Sequence, residues 1–130
     1  RGRVPDPNAL GLAACRAAFE DGESWRIARV DYLRENRDLL ESFLSLRIPM
    51  FRMSHVEATY LAWIDTRWLG MHNEASFFEQ AGVQLSDGAA FGGKGFMRLN
   101  FGCPRERLRS ALERILHAVK TLDKPPNRTC

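Results

Sequence analysis

A single arginine in a short apolar segment is the residue of this sequence best suited to bind a ligand. In the segment FMRLNF, residues 96–101, alternate side chains of a strand would put Met97, Leu99 and Phe101 on one apolar face. Arg98 would then lie on the opposite face, away from the core. A guanidinium offers a planar fork of donors that suits a carboxylate or a phosphate. The pattern predicts an anion-binding arginine, with an ion pair or a wet sheet face as the ordinary alternatives.

A glycine-rich loop precedes that arginine. Gly88, Gly93 and Lys94 match most of a phosphate-binding loop, but Gly95 replaces the Ser or Thr that would bind magnesium. A strand also follows where that motif requires the N-terminus of a helix. The glycines predict instead a loop with positive φ angles or close backbone approach, through which a ligand could reach Arg98.

The histidines and cysteines of the sequence are isolated from one another. His55, His72 and His117 do not have the spacing of metal ligands, so no metal site is predicted. An odd number of widely spaced cysteines argues against a disulfide framework and favours a reducing, cytoplasmic compartment. These cysteines are Cys15, Cys103 and Cys130.

Composition limits the class of protein. A chain of 130 residues with 45% apolar content can form one domain with a modest core. The 19 Lys and Arg exceed the 16 Asp and Glu by only three charges, which is too little to predict binding to nucleic acid or to an anionic membrane. No apolar run approaches the roughly 20 residues of a membrane-spanning helix. The sequence therefore predicts a soluble protein.

Three long segments have the apolar spacing and the end signals of helices. Residues 8–20 are rich in alanine and end before Gly22, and a second helix follows from Trp25 to Leu46. A third helix begins after Pro104 and repeats its apolar residues at three-and-four spacing. Because small residues let another element approach closely, we expect the first helix to lie inside a larger body. A chain this short offers little to bury it, so we expect a fragment of a longer protein.

The segments between these helices predict a small sheet. Met50 to Met53 would be an edge strand, and Thr59 to Asp65 is apolar on both faces, as in a central strand that is covered on both sides. Asn73 to Ala81 would be a short helix, and Val83 to Leu85 a strand that leads into a turn. The order of elements predicts an α+β fold in which a small mixed sheet packs against helices.

Three spaced segments, in this order, resemble a known family. They are NALGLAACRAAFEDGESW at 8–25, YLAWID at 60–65 and LSDGAAFGGKGFMRLNFGCPRERL at 85–108. They resemble the C-terminal part of pyridoxal-phosphate-dependent enzymes of the aminotransferase superfamily (fold type I). Within it, the chain is similar to the cystathionine beta-lyase or carbon-sulfur lyase group, of the MalY and PatB type.

The resemblance implies a domain organisation. Residues 1–22 would be the end of the large domain, and residues 23–48 the long connecting helix. Residues 49–124 would form the C-terminal small domain, and residues 125–130 a loose tail.

The resemblance also implies roles for individual residues. Arg98 matches the arginine that binds the substrate α-carboxylate in that family. Phe91 and Gly92 of the glycine-rich loop would lie near the substrate, and Tyr60 would lie near the cleft.

The cofactor of the family is pyridoxal phosphate, and the groups that hold it lie upstream of the matched segments. Lys94, Lys120 and Lys124 do not match the lysine that attaches the cofactor. No catalytic or cofactor-binding residue and no bound cofactor are therefore expected in this chain, which should be inactive alone.

For the complete enzyme, the resemblance implies β-elimination from a sulfur-containing amino acid such as cystathionine. An aminotransferase of the same superfamily is one alternative. A non-catalytic module that binds an amino acid or a protein is another, because a fold does not determine a function. We also expect a homodimer, or self-association through exposed helices.

Overall fold

The structure is a computed structural model, and it describes residues 7–122. The chain divides into two compact units, with the boundary between Tyr32 and Leu33. Within the described residues, no helix has the length and apolar character needed to cross a membrane.

The first unit contains helix α1 (Ala9–Asp21) and the beginning of α2 (Glu23–Arg47). The Asn8 side chain caps α1 by accepting a hydrogen bond from the Gly11 N–H at 2.7 Å. Leu10 and Phe19 of this helix are 84% and 86% exposed. That α1 packs inside a larger body stays a prediction, and these exposed apolar side chains are in keeping with it.

The second unit consists of the rest of α2, four short strands and two further helices. The strands are β1 (Arg52–Met53), β2 (Leu61–Asp65), β3 (Ser86–Asp87) and β4 (Phe96–Asn100). The helices are α3 (Glu74–Gln80) and α4 (Arg105–Thr121), and single 3₁₀ turns lie at Arg67–Leu69 and Gly88–Phe91. The predicted α+β fold, a small sheet packed with helices, is confirmed.

The sheet has the order β1-β2-β4-β3, and every neighbouring pair is antiparallel. The prediction of a mixed sheet was wrong. Parallel neighbours need a crossover connection of about a dozen residues or more. The links from β1 to β2 and from β3 to β4 are shorter than that, so these neighbouring strands can pair only in the antiparallel direction.

The strand predicted at Val83 to Leu85 was also displaced. Val83 is buried directly after α3, where its N–H donates to the Phe78 carbonyl at 2.9 Å. The strand begins three residues later, at Ser86 and Asp87, in the segment expected to turn. Val83 is therefore apolar because it packs in the core, rather than because it belongs to a strand.

One face of the sheet forms the core of the second unit. Ala62 and Ile64 of β2 and Met97 and Leu99 of β4 are at most 3% exposed. They belong to one apolar cluster with side chains of α2 and α4, among them Leu40, Leu44, Leu112 and Ile115. β2 is central, as predicted, because it pairs on both of its edges. Its other face, which carries Trp63, is only partly buried.

A buried asparagine connects α2 to the end of β4. Asn36 is fully buried, and its Nδ2 donates to the carbonyls of Phe101 at 3.0 Å and Cys103 at 2.9 Å. Its Oδ1 accepts from Arg105 Nε at 3.1 Å, in the first turn of α4. One side chain thus satisfies two carbonyls in the link between β4 and α4.

Replacing this side chain should lower the stability of the second unit. Asn36→Ala leaves two carbonyls without their donor, so we expect a loss of about 2 to 3 kcal/mol in the free energy of unfolding. Asn36→Asp keeps the shape but faces the carbonyls with oxygen, and should cost at least as much. Urea denaturation measures both, with the exposed helix cap Asn73→Ala as a comparison at about 1 kcal/mol. An Asn36→Asp protein as stable as the wild type would contradict this role.

An ion pair lies at the end of β2. Arg67 Nη2 lies 2.6 Å from Asp65 Oδ2, and both Nε and the backbone N–H of Arg67 donate to Asp65 Oδ1. These hydrogen bonds from Arg67 lower the pKa of the Asp65 carboxyl; burial opposes this shift, and the charge of Arg52 adds to it.

The ion pair predicts a pH-dependent contribution to stability. Because the folded-state pKa of Asp65 is lowered, the contribution is complete above the unfolded-state value of about 3.9 and disappears as the pH falls through the folded-state value. The Arg67 side chain is 66% exposed, so Arg67→Gln should cost at most about 1 kcal/mol at neutral pH. Urea denaturation across the acid range measures this difference, with the exposed Arg109→Gln as the control. A difference that grows on acidification would contradict the assignment.

Candidate functional site

Arg98 lies at the centre of β4 on the face that is turned away from the core. Its cross-strand partners are Trp63 on β2 and Ser86 on β3, so the three side chains share one face of the sheet. The neighbouring Met97 and Leu99 point the other way and are 1% and 3% exposed. The alternation predicted from the sequence is therefore confirmed.

The Arg98 side chain is partly buried and lies over an aromatic ring. Its Cζ lies 4.1 Å from the centroid of the Phe91 ring, within the range of a cation–π contact. Its Nη2 makes a long hydrogen bond of 3.5 Å to Ser86 Oγ. No Asp or Glu within residues 7–122 forms an ion pair with Arg98, whereas Arg67 pairs with Asp65 at 2.6 Å. Arg98 is thus an oriented cation that no described acidic side chain neutralises.

The glycine-rich loop carries Phe91 to this position. Asp87 accepts a hydrogen bond from the Ala89 N–H at 2.8 Å and begins the 3₁₀ turn that ends at Phe91. Gly92 and Gly95 have φ angles of 83° and 80°, which confirms the predicted positive φ values. At Gly93 a Cβ would stand 2.3 Å from the Trp63 ring, so the predicted close approach is confirmed as well.

An aromatic cluster continues from Phe91 across the same face. The Trp63 ring meets the Phe91 ring edge-on with centroids 6.4 Å apart, and it stacks on Phe96 at 5.7 Å and 17°. The guanidinium of Arg67 lies over the far ring, with Cζ 5.1 Å from the centroid of Phe96. Sequence reasoning missed the roles of Ser86 and Phe96, because the strand register that aligns them is not readable from the sequence.

The structure brings three of the four predicted site residues together. Arg98 and Phe91 are in contact, and Gly92 follows Phe91 in the loop. Tyr60 lies just before β2, three residues and therefore ~10 Å along the strand from Trp63. Its carbonyl accepts from the Phe101 N–H at 2.9 Å. Tyr60 thus lies beyond the end of the β2–β4 pair at which Leu61 faces Asn100, and Trp63 and Arg98 lie at its centre. Its place near the substrate cleft stays a prediction.

Neither of the two lysines that the structure describes is enclosed: Lys94 lies exposed in the loop, and Lys120 lies exposed on α4. Burial raises the pKa of the Cys103 thiol, against a smaller opposite effect of the Arg107 charge, so this cysteine is not activated as a nucleophile. The chemistry that the arrangement supports is the binding of a planar anion by Arg98.

No protein-family model matches the chain, but individual proteins do. It is 32% identical over 127 residues to protein MalY of Escherichia coli K12, which covers 94% of this chain and 33% of MalY. It is 33% identical over 117 residues to the cystathionine beta-lyase PatB of Bacillus subtilis 168, which covers 86% of this chain and 30% of PatB. The chain thus spans about a third of the length of these relatives.

Solved structures agree with the sequence relatives. OvoB superposes with a TM-score of 0.87 at 43% identity, over 93% of this chain and 32% of that protein. The pyridoxal-phosphate-bound C–S lyase of Staphylococcus hominis superposes with a TM-score of 0.83 at 32% identity, over 93% of this chain and 34% of the lyase. The resemblance predicted from the sequence is confirmed: over most of its length the chain is similar to MalY, PatB and pyridoxal-phosphate-bound C–S lyases, and it has the small-domain fold of these enzymes.

Proposed function

We propose that the protein that carries this chain is a pyridoxal-phosphate-dependent carbon-sulfur β-lyase, and that Arg98 binds the α-carboxylate of its amino-acid substrate. The observation that carries this proposal is the state of Arg98, which is partly buried and oriented but has no acidic partner within residues 7–122. Similarity to a cystathionine beta-lyase and to a C–S lyase supports the reaction class.

The contacts of Arg98 suit a carboxylate. The Arg98 Cζ lies over the Phe91 ring, and no Asp or Glu within residues 7–122 forms an ion pair with the N–H edge of the guanidinium. Two parallel hydrogen bonds from that edge to one carboxylate would fix the position of the substrate and the direction of its Cα–H bond. Ser86, on the neighbouring strand, restrains the Nη2 end of the fork.

The proposed reaction breaks the bond between Cβ and sulfur of a cysteine conjugate. It consumes one water and gives a thiol, pyruvate and ammonia, with the keto oxygen of pyruvate supplied by the water, and it requires removal of the Cα proton. Because the described residues offer no enclosed lysine, we expect the base and the cofactor site to lie in another part of the protein. The role of this chain is then to bind and orient the substrate.

The first unit has exposed apolar side chains that favour self-association. Leu10, Phe19 and Trp25 are each at least 66% exposed, on α1 and on the first turn of α2. Apolar surface of this kind is usually covered by a partner. A homodimer, or coverage by another part of the same protein, is therefore proposed for this face.

The reaction class can be tested with the protein at the length that its source cell makes. We expect this protein, supplied with pyridoxal phosphate and L-cystathionine, to release a thiol and pyruvate, and we expect the 130-residue chain alone to do neither. An aminotransferase would instead convert an added keto acid to its amino acid without releasing a thiol. Lyase turnover by the isolated chain would refute its proposed dependence on residues outside it.

The role of Arg98 can be tested in the same full-length protein. Arg98→Ala should raise KM strongly and leave the absorbance of the bound cofactor intact, at a cost of about 2 to 4 kcal/mol in transition-state binding. Arg98→Lys should recover part of this loss, because an ammonium keeps the charge but not the planar fork. The exposed Arg109→Ala on α4 is the matched control. Unchanged kinetics of Arg98→Ala would exclude the assignment.

A further inference from the structure

Trp63 is the side chain that connects the sheet to the glycine-rich loop. It lies directly across from Arg98 on the neighbouring strand, on the same face of the sheet. Its ring forms a T-shaped pair with the ring of Phe91, over which the Arg98 guanidinium carbon lies. The chain of contacts from Trp63 to Phe91 to Arg98 is therefore continuous.

The loop rests on Trp63 through a position that has no room for a side chain. A Cβ at Gly93 would stand 2.3 Å from one ring carbon of Trp63 and 3.2 Å from the next. No real Cβ approaches a carbon atom so closely, so the backbone of Gly93 is seated directly on the indole. Phe91 is two residues away along the same loop.

A second aromatic ring also packs against the indole. Phe96 stacks on it nearly parallel, at 17°, and the guanidinium of Arg67 covers Phe96. Asp65 in turn holds Arg67 with hydrogen bonds of 2.6 and 2.9 Å. Trp63 is thus a fixed support rather than a mobile surface ring.

We infer that Trp63 is a positioning residue for Arg98. Its indole seats the glycine-rich loop so that Phe91 stays on the face of the guanidinium, and this contact keeps the donor edge aimed at the substrate carboxylate. The inference rests on the proposed function of Arg98 and adds the residue on which its orientation depends. An arginine that is free to change rotamer would lose part of its binding energy in ordering its side chain.

Kinetics of the full-length protein with L-cystathionine test this inference. Trp63→Ala should raise KM between about tenfold and about a hundredfold and largely retain kcat, since only the placement of a binding group is lost. Trp63→Phe should recover most of the affinity, because a smaller ring still supports the loop. Arg109→Ala, which removes an exposed side chain of α4 away from this face, is the control. An unchanged KM in Trp63→Ala would overturn the inference.

A second variant acts on the same contact from the loop side. Gly93→Ala drives a methyl group into the indole and should lift the loop, so its KM should rise as in Trp63→Ala while the Trp63 side chain is still present. If Trp63→Ala fails to fold, the KM of Gly93→Ala alone tests the inference. A KM equal to that of the wild type would then overturn the inference.

Chemical labelling separates this inference from the proposed function. Phenylglyoxal modifies arginine side chains, and mass spectrometry of the full-length protein gives the rate at Arg98. We expect faster modification of Arg98 in Trp63→Ala and Gly93→Ala than in the wild type and in Arg109→Ala. If Arg98→Ala leaves KM unchanged, the carboxylate role fails, but faster labelling would still support the seating by Trp63. Equal labelling rates in all four proteins would overturn the seating.

Discussion

The pairing register of β2 and β4 is the constraint on which the rest of this structure depends. It places Ala62 and Ile64 against Leu99 and Met97 in the core, and Trp63 against Arg98 on the opposite face. A slip of one residue would exchange these faces, which would drive a guanidinium into an apolar core and expose the residues that hold α2 and α4. The packing of the core face therefore determines the side of the sheet on which Arg98 lies.

Much of this arrangement could be predicted from the sequence, because it depends on local periodicity. The alternation of apolar residues around Arg98 predicted the face of the strand on which it lies. The helix end signals predicted the bounds of the long helices to within two residues, and the glycines predicted a loop with positive φ angles. The antiparallel order of the sheet and the contact of Gly93 with Trp63 depend on which segments meet, and periodicity does not contain that information. The same holds for Asn36, which reads as an ordinary polar residue of a helix until its partners are known.

The arginines on the face of the sheet that carries Trp63 differ in how their charge is neutralised. The Arg67 guanidinium is exposed, but it donates two hydrogen bonds to the Asp65 carboxylate and lies over the Phe96 ring. Arg98 is more buried, yet among residues 7–122 it contacts a ring and a distant hydroxyl but no carboxylate. Since the removal of a charge from water is costly unless a partner compensates, the second arrangement implies a cost that an anionic ligand would relieve. The two sites show why an arginine has to be judged by its partners rather than by its exposure.

The bonds of Asn36 have a consequence for how related sequences can vary. Its amide donates to the backbone carbonyls of Phe101 and Cys103, which every amino acid possesses. Side chains at those two positions can therefore change without breaking these bonds, whereas position 36 itself requires an amide of this length. Sequence variation should accordingly show a strong restriction at position 36 with no compensating change at positions 101 and 103, whereas Arg105, which donates to Asn36 through its side chain, can change with it. Methods that infer contacts from paired substitutions would not detect this link between α2 and the end of β4.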